Sequence, residues 1–387
     1  METLFRKTIT YIRELYNSKD EFIPLHTPSF NGNEKKYLNE CIDSTFVSSV
    51  GQYVDKFEQM MASYTGAQYA VGVINGTAAL HIALLLANVG SGDEVITQPV
   101  SFIATTNAIK YTGAQPVFVD IEMDTLGLSA EKLESFLGNQ TFKGKDGYRY
   151  NSKTKRRVKA CIPMHTYGHP CKIDEIKSIC KNYNLTLIED AAESIGSFYK
   201  GKHTGTFGEM GVFSFNGNKT ITTGGGGMLV TNDPLLAKKA KHLTTQAKVA
   251  HPWEYNHDEI GYNYRLINIC AALGLAQLEN IDEIVENKRQ TAELYRNFFR
   301  HSDIAFFSEP KEAKSNYWLN LLLLQNKQQR DGFLKISNEN GVMTRPVWTL
   351  HYKLPMFKEN EKYFTENSEF LEKVAVNIPS SIRTKKA

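Results

Sequence analysis

The segment from Phe213 to Met228, FSFNGNKTITTGGGGM, contains the residues best suited to chemistry in this sequence. Its one lysine, Lys219, lies in a polar turn between two apolar runs, which predict the end of one buried strand and the start of another. An amine can form a Schiff base, and neighbouring hydroxyl and glycine N–H groups can hold a phosphate. The segment therefore indicates an anionic cofactor that reacts with an amine, while a solvated hairpin with a surface lysine fits the same residues.

The elements around this segment predict a sheet with further polar groups along one edge. Apolar, β-branched runs alternate with helical patterns from Tyr69 to Asp190, which predicts parallel β-α units with helices on both faces. Ligands bind such sheets at the carboxyl ends of the strands. The polar groups predicted at these ends are Asn75-Gly76-Thr77, Gln98 to Phe102, His165 to Gly168 and Asp190.

Length and composition limit the possible classes of protein. The 387 residues predict two domains, 1–250 and 251–387, with the helical stretch from Ile267 to Arg300 leading into the second. The 41% of apolar residues is typical of a globular protein, and the net charge of +3 gives no general reason to expect a nucleic-acid partner. Five cysteines without a C-x-x-C pair favour the reducing cytoplasm. The sequence shows no apolar export core and no bilayer-spanning run, so we predict a cytoplasmic protein without membrane association.

The lysine segment resembles the Schiff-base segment of the DegT/DnrJ/EryC1/StrS family of sugar aminotransferases, in which S-F-x-x-x-K-x-I-T-T-G-x-G-G recurs. The match runs from Ser214 to Gly227, and the resemblance extends over nearly the whole chain. It implies pyridoxal 5′-phosphate (PLP), or its pyridoxamine form (PMP), as cofactor, with Lys219 as the Schiff-base lysine. It also implies the aspartate aminotransferase-like α/β fold (fold type I), with a large three-layer αβα domain, a mostly parallel sheet and a smaller C-terminal α/β domain.

The resemblance assigns further residues to the cofactor. Asp190, in the family pattern E-D-A-A, is implied as the carboxylate on the pyridine nitrogen, although on sequence alone it also fits a helix N-cap. Phe102 is implied as the ring-stacking residue, with a core phenylalanine as the alternative. Glu193 stands beside the ring hydroxyl, where many relatives have Gln or His. The implied phosphate contacts are Gly76, Thr77, Ser214 and Asn263, the last reaching the phosphate from the other subunit of a homodimer.

The sequence FIPLHTPSFNGNEKKYLNECIDSTFVSS resembles the LegC-type branch of this family. That branch moves an amino group from glutamate to C4 of a nucleotide-linked 4-keto-6-deoxy-N-acetylhexosamine, on the way to legionaminic acid or bacillosamine-type sugars. The implied partners are therefore a nucleotide-diphosphate keto-sugar and glutamate. The residues expected at the substrate are His165, Tyr167, Asn216, Arg265, Arg345 and His351. Two alternatives remain open, namely amination of a 3-keto nucleotide sugar and a PLP-fold sensor or binding protein without turnover.

An insertion from Gly138 to Lys159 carries eight basic residues and one acidic residue, Asp146. Turn signals within it predict a protruding hairpin. A solvated hairpin is the favoured interpretation, because most charge runs are solvated. A cover over a diphosphate-bearing substrate is the second interpretation, and a nucleic-acid patch is the third.

Four side chains have donor atoms that zinc binds: Cys161, His165, His169 and Cys171. Their spacing follows no known zinc finger, and Cys161 lies within a predicted apolar strand. The sequence therefore predicts no metal site.

Overall fold

The computed structural model describes residues 1–383. The helices are α1 (Glu2–Leu15), α2 (Glu34–Asp43), α3 (Gln52–Thr65), α4 (Gly76–Leu86), α5 (Ile103–Tyr111), α6 (Ala130–Asn139), α7 (Ile173–Asn182), α8 (Pro234–Thr244), α9 (Asn268–Glu279), α10 (Ile281–Phe299), α11 (Lys327–Glu339) and α12 (Glu366–Val374). The strands are β1 (Tyr69–Val73), β2 (Asp93–Thr97), β3 (Gln115–Val119), β4 (Thr141–Lys143), β5 (Arg149–Asn151), β6 (Arg157–Ile162), β7 (Thr186–Asp190), β8 (Phe198–Tyr199), β9 (Lys202–His203), β10 (Met210–Ser214), β11 (Gly227–Thr231), β12 (Lys248–Val249), β13 (Asn256–His257), β14 (Ala305–Phe306), β15 (Ala313–Lys314), β16 (Asn320–Leu323), β17 (Arg345–Pro346), β18 (Lys362–Tyr363) and β19 (Ala375–Ile378).

The central sheet has the strand order β1-β11-β10-β7-β6-β2-β3-β18. Every neighbouring pair from β10 to β18 is parallel, and only β11 runs antiparallel to both of its neighbours. This confirms the predicted mostly parallel sheet. Along this order the reversed strand is β11, which follows the Lys219 turn and pairs with β10 as in a hairpin.

Helices cover both faces of this sheet. Val212 and Leu229 pack on one face with α4 and α8, whereas their chain neighbours Phe213 and Met228 pack on the other face with α3 and α9. Successive side chains of a strand point to opposite faces, so each buried strand contributes to two cores. The predicted three-layer αβα arrangement is confirmed.

A second, antiparallel sheet of four strands, in the order β14-β16-β19-β17, is formed by the C-terminal part of the chain. Packing crosses the predicted boundary at residue 250. Phe5 of α1 contacts Phe333 of α11, with 5.2 Å between ring centroids, while α9 packs on α3 and β18 joins the central sheet. The helical stretch predicted from Ile267 to Arg300 is divided into α9 and α10 at Asn280, whose side chain donates to the carbonyl oxygen of Ala276.

The basic insertion forms the predicted hairpin from β4 and β5, and β5 also pairs with the first residues of β6. The buried carboxylate of Glu94 accepts hydrogen bonds from Asn151 and Thr154, which attaches the hairpin to the start of β2. The hairpin therefore lies at the amino ends of β2 and β6. The opposite edge of the sheet carries the polar groups described below, so within one chain the hairpin does not cover them.

Within residues 1–383, no helix combines the length and the apolar composition needed to cross a bilayer.

Candidate active site

The turn that carries Lys219 joins β10 to β11 and is closed by backbone hydrogen bonds. The N–H of Phe215 donates to the carbonyl oxygen of Gly226 at 2.8 Å, and the N–H of Thr223 donates to that of Phe215 at 2.9 Å. Gly224 has a φ of +79°, which glycine adopts without steric cost. The predicted strand-turn-strand is confirmed. Lys219 itself is only 9% exposed, so it is not the surface lysine of a solvated hairpin.

A cavity of about 230 Å³ lies at the carboxyl ends of the parallel strands, beside this turn. The structure brings together eight residues predicted from the sequence: Gly76, Thr77, Phe102, Asp190, Glu193, Ser214, Asn216 and Lys219. Phe102 is 50% exposed, which contradicts the alternative of a core phenylalanine.

The Lys219 amine is held by two side chains. Its nitrogen lies 3.2 Å from Oε1 of Glu193 and 4.0 Å from the ring centroid of Trp318. The other carboxylate oxygen of Glu193 accepts the backbone N–H of Tyr167 at 2.9 Å. Burial raises the pKa of Glu193 to about 7, although the neighbouring ammonium group opposes this shift. The Glu193 carboxyl therefore changes its charge state near neutral pH.

Asp190 ends β7 and is almost completely buried. The hydroxyl of Thr105 donates to Oδ2 at 2.6 Å, and the N–H of Ala192 donates to Oδ1 at 3.1 Å. Burial raises the pKa of this carboxyl, and these two donors and Lys219 oppose the shift. Turns rather than a helix follow Asp190, which excludes the helix N-cap alternative. A buried carboxylate without a contacting cation in residues 1–383 suits the protonated ring nitrogen of PLP.

The other end of the cavity fits a phosphate. Helix α4 begins at Gly76, and its free N–H groups and dipole favour an anion. A Cβ at Gly76 would stand 2.9 Å from Cβ of Ser214, and a Cβ at Gly227 would stand 2.5 Å from the backbone of Asn75. These glycines let the helix start, the serine and β11 approach one another. The cavity thus has a phosphate end, a buried carboxylate and a buried amine, which together fit PLP.

Two residues expected at the substrate lie outside the cavity. His165 is fully buried, and its Nε2 lies 3.0 Å from Oε2 of Glu189. That oxygen also accepts the N–H of Gly205, and Oε1 of the same carboxylate accepts the N–H groups of Phe207 and Gly208. The ring of Tyr167 is buried and stacks on Trp348, with 4.8 Å between centroids. Neither side chain lines the cavity of its own chain, so their place at the sugar stays a prediction, while the backbone N–H of Tyr167 supports Glu193.

Four other predicted residues also lie away from the cavity of their own chain. Arg265 forms an ion pair with Glu58 at 2.7 Å, so its guanidinium group already has a carboxylate partner. Asn263 and Arg345 are exposed. His351 is buried, with its Nδ1 bonded to the hydroxyl of Thr106. Within one chain, none of the four contacts the Lys219 cavity, and their substrate and cofactor roles stay predictions.

Sequence reasoning missed two residues that shape the site. Trp318 contributes its ring to the surroundings of Lys219 from a position 99 residues further along the chain, and no local signal indicates this contact. Thr105 follows the predicted stacking residue Phe102 by three positions, which is one helical turn. That spacing was a usable signal.

The zinc alternative finds no support in the described part of the chain. Within residues 1–383, one group of three His, Cys, Asp or Glu side chains has its donor atoms within 4.8 Å of one another. It consists of His242, Asp258 and Glu259, lies towards the surface, and includes none of the four zinc candidates. Cys161 and Cys171 are buried in the core of the β-α layer.

Glu193→Gln keeps a side chain of the same shape and removes the ionisable group. Because burial raises the pKa of Glu193 from 4.5 to about 7, its contribution to stability is complete below about pH 4.5 and is lost as pH rises through 7. The unfolding free energy of the variant minus that of the wild type should rise by up to about 3 kcal/mol between about pH 5 and pH 8. Denaturant titration of both cofactor-free proteins measures this difference. A difference that is constant with pH would show that Glu193 does not titrate in this range.

The comparison with protein families decides what kind of protein carries this site. The family model described as the DegT/DnrJ/EryC1/StrS aminotransferase family matches residues 28–387. The chain belongs to this family. It is therefore a PLP-dependent sugar aminotransferase, and the site described above fits that cofactor.

Two curated relatives and one solved structure show how far the similarity extends. GDP-perosamine synthase of Escherichia coli O157:H7 is 43% identical over 361 residues, which are 93% of each chain. GDP-perosamine synthase of Vibrio cholerae is 38% identical, over 92% of this chain and 94% of that protein. The aminotransferase TlmJ of Streptoalloteichus hindustanus has a TM-score of 0.84 and 26% identity, covering 93% of both chains. The structural similarity confirms the fold type I architecture of this family member.

Proposed function

We propose that this enzyme transfers the amino group of glutamate to C4 of a nucleotide-linked 4-keto-6-deoxy-N-acetylhexosamine. The observation that carries the proposal is that Lys219, Asp190 and a helix start suited to phosphate line one and the same cavity. An amine, a carboxylate and a phosphate site are the groups that PLP chemistry needs. Their presence disfavours a sensor without turnover.

Each cavity residue has a proposed role. Gly76, Thr77 and Ser214 bind the phosphate, Phe102 stacks on the ring, and Asp190 keeps the ring nitrogen protonated. When bound, the cofactor supplies a ring that withdraws electrons from the carbon losing a proton. Lys219 first anchors the cofactor and then, once its amine is free, moves a proton between cofactor C4′ and the substrate carbon. Glu193 holds that amine in place and balances its charge.

Amination at C4 is supported by the two relatives named GDP-perosamine synthase, since perosamine carries its amino group at C4. The same names favour a second candidate substrate, a GDP-linked 4-keto-6-deoxyhexose without the N-acetyl group. The 3-keto alternative has no comparable support among these two relatives. We expect Asn216, which lines the cavity and stands where many relatives have His or Tyr, to bear on the choice between the two C4 substrates.

We propose a homodimer with a shared site. Asn263 is exposed and lies away from its own cavity, as expected of a residue that reaches the phosphate of a second subunit. Two large apolar side chains within four residues of Asn263 are also exposed, Ile260 at 82% and Ile267 at 41%. A second copy would cover such surface.

The five cysteines are free thiols, which fits the reducing cytoplasm as the place of action.

A panel of keto-sugar nucleotides tests this function. The purified enzyme is incubated with glutamate and with UDP- or GDP-linked 4-keto-6-deoxy sugars, with and without the N-acetyl group, and with a 3-keto sugar. The mass of the product identifies the aminated sugar. We expect an amine on a UDP-linked N-acetylated 4-keto sugar. Amination of the GDP-linked sugar alone would establish the second candidate, and amination of none would support the sensor.

A further inference from the structure

Lys288, on helix α10, is a fully buried lysine that forms no ion pair within residues 1–383. Its amine donates to the carbonyl oxygen of Trp318 at 3.2 Å and to that of Ser380 at 2.6 Å. Burial lowers the pKa of this amine to about 7. Lysine is almost never fully buried unless it is paired with a charge, and methionine would fill a similar volume without burying an amine. Packing alone therefore does not explain a lysine here.

Trp318 connects Lys288 to the active site. While its carbonyl oxygen accepts from Lys288, its indole Nε1 donates to the carbonyl oxygen of Asn218 at 2.7 Å. Asn218 directly precedes Lys219, whose amine lies 4.0 Å from the centre of the indole ring. An ammonium group at this distance from an indole is attracted by the π electrons. The ring of Trp318 is thus fixed at its backbone and at its nitrogen, and it contacts the reacting amine.

Asn316 fixes the same tryptophan from a third side. Its Oδ1 accepts the N–H of Trp318 at 2.8 Å, and its Nδ2 donates to the carbonyl oxygen of Glu193 at 2.9 Å and to the hydroxyl of Thr220 at 3.2 Å. The segment that enters β16 is therefore bonded to the residues on both sides of the Lys219 amine. A displacement of Trp318 would be transmitted to them.

We propose that Lys288 is a positioning residue of the amino-transfer reaction, which holds Trp318 against Lys219 and so keeps the Lys219 nitrogen in its working orientation. The proposal rests on Lys219 being the reacting lysine, as proposed above. Lys288 acts through Trp318, because it does not line the cavity.

Few ionisable groups surround these two amines. Glu193 and Asp190, at the end of β7 and in the turn after it, face Lys219. His26, in the N-terminal segment, is close enough to Lys288 and Lys219 for both to lower its pKa, which burial already lowers. A substitution at Lys288 leaves Glu193 and Asp190 in place, but it removes one of the two amines that lower the pKa of His26. The loss of a neighbouring cation would by itself raise the pH midpoint of the lysine-bound cofactor, so a fall in that midpoint reports on the displacement of Trp318.

Lys288→Met tests the proposal in the cofactor-loaded enzyme, with Thr291→Val as a matched control that removes a buried hydroxyl from the same helix. We expect the pH midpoint of the absorption of the lysine-bound cofactor to fall by about half a unit or more, because the ring no longer favours the protonated form. We expect kcat to fall about tenfold while KM for glutamate changes less than about twofold. The melting temperature should fall by no more than several degrees, because the carbonyl oxygens of Trp318 and Ser380 lose a donor while a buried amine is removed. Thr291→Val should keep the wild-type midpoint.

A folded Lys288→Met enzyme with a wild-type midpoint and kcat would overturn the proposal. If this variant does not fold, Trp318→Phe is measured instead, because it loses the donor to Asn218 and keeps a ring. A wild-type midpoint in Trp318→Phe overturns the proposal, and a lowered one supports it. The midpoint requires no sugar, so an error in the proposed substrate does not affect the test. A borohydride-reducible bond between cofactor and protein that persists in Lys219→Ala would instead refute the assignment of Lys219.

Discussion

Lys219→Ala should yield a folded protein that has lost the yellow absorption of the lysine-bound cofactor and all measurable amino transfer. The buried amine both anchors the cofactor and moves the proton, and the loss of a positioned acid-base group alone costs up to about 10⁴-fold in rate. The phosphate end of the cavity is unchanged in this variant, so the cofactor should still bind without a covalent bond. Absorption spectra and single-turnover assays with glutamate measure both effects.

Lys202→Ala is the matched control for this variant. Lys202 also lies near an aromatic ring, 4.7 Å from the centroid of Phe207, but it does not line the cavity. It should keep the absorption and the rate of the wild type. Amino transfer that survives in Lys219→Ala at a comparable rate would contradict the assignment.

Asp190→Asn should bind the cofactor but transfer the amino group poorly. At an effective dielectric constant of about 20, an ion pair at about 4 Å contributes roughly 4 kcal/mol, or about three pK units. Loss of this charge should leave the ring nitrogen largely unprotonated and slow proton removal by up to about 10³-fold. Asparagine still fills the site, so the affinity for cofactor should change less than about tenfold. Equilibrium dialysis and pre-steady-state rates separate the two quantities.

The adjacent carboxylate provides the control for Asp190→Asn. Glu189 precedes Asp190 on β7 and points to the opposite face, where it accepts backbone N–H groups from Gly205, Phe207 and Gly208. Those donors, with His165, lower the pKa of Glu189 although its burial acts in the opposite direction. Glu189→Gln should therefore lower the melting temperature without changing the spectrum of the folded enzyme. Equal rates for Asp190→Asn and wild type would show that Asp190 does not act on the ring.

The elements of this fold could be predicted because their signals are local. Strand, turn and strand around Lys219 follow from alternating apolar residues and a glycine run, and the parallel β-α units follow from the alternation of short apolar runs with helical patterns. Which residues at the end of a strand face the cavity could not be predicted from these local signals. His165 and Met164 are neighbours, and only Met164 lines the cavity. Neighbouring side chains of a strand point to opposite faces, but the sequence does not reveal which of the two faces the cavity.

Contacts between distant segments were the second limit. Arg265 suits an anionic substrate by its chemistry, but its partner Glu58 lies 207 residues earlier in the chain. Trp318 reaches Lys219 because the segment that enters β16 is hydrogen-bonded to the Lys219 turn, a contact between segments about 100 residues apart. For Lys219 and Asp190, by contrast, the resemblance to a family supplied the information that local patterns lack.

Reduction of the cofactor-loaded enzyme with borohydride, followed by mass mapping of its peptides, tests the central claim most directly. Reduction converts a cofactor-lysine Schiff base into a stable amine, which marks the lysine that carries it. We predict that the added mass of one cofactor is found on the peptide containing Lys219 and on no other lysine. Labelling of a different lysine, or a reduced enzyme without added mass, would contradict the account.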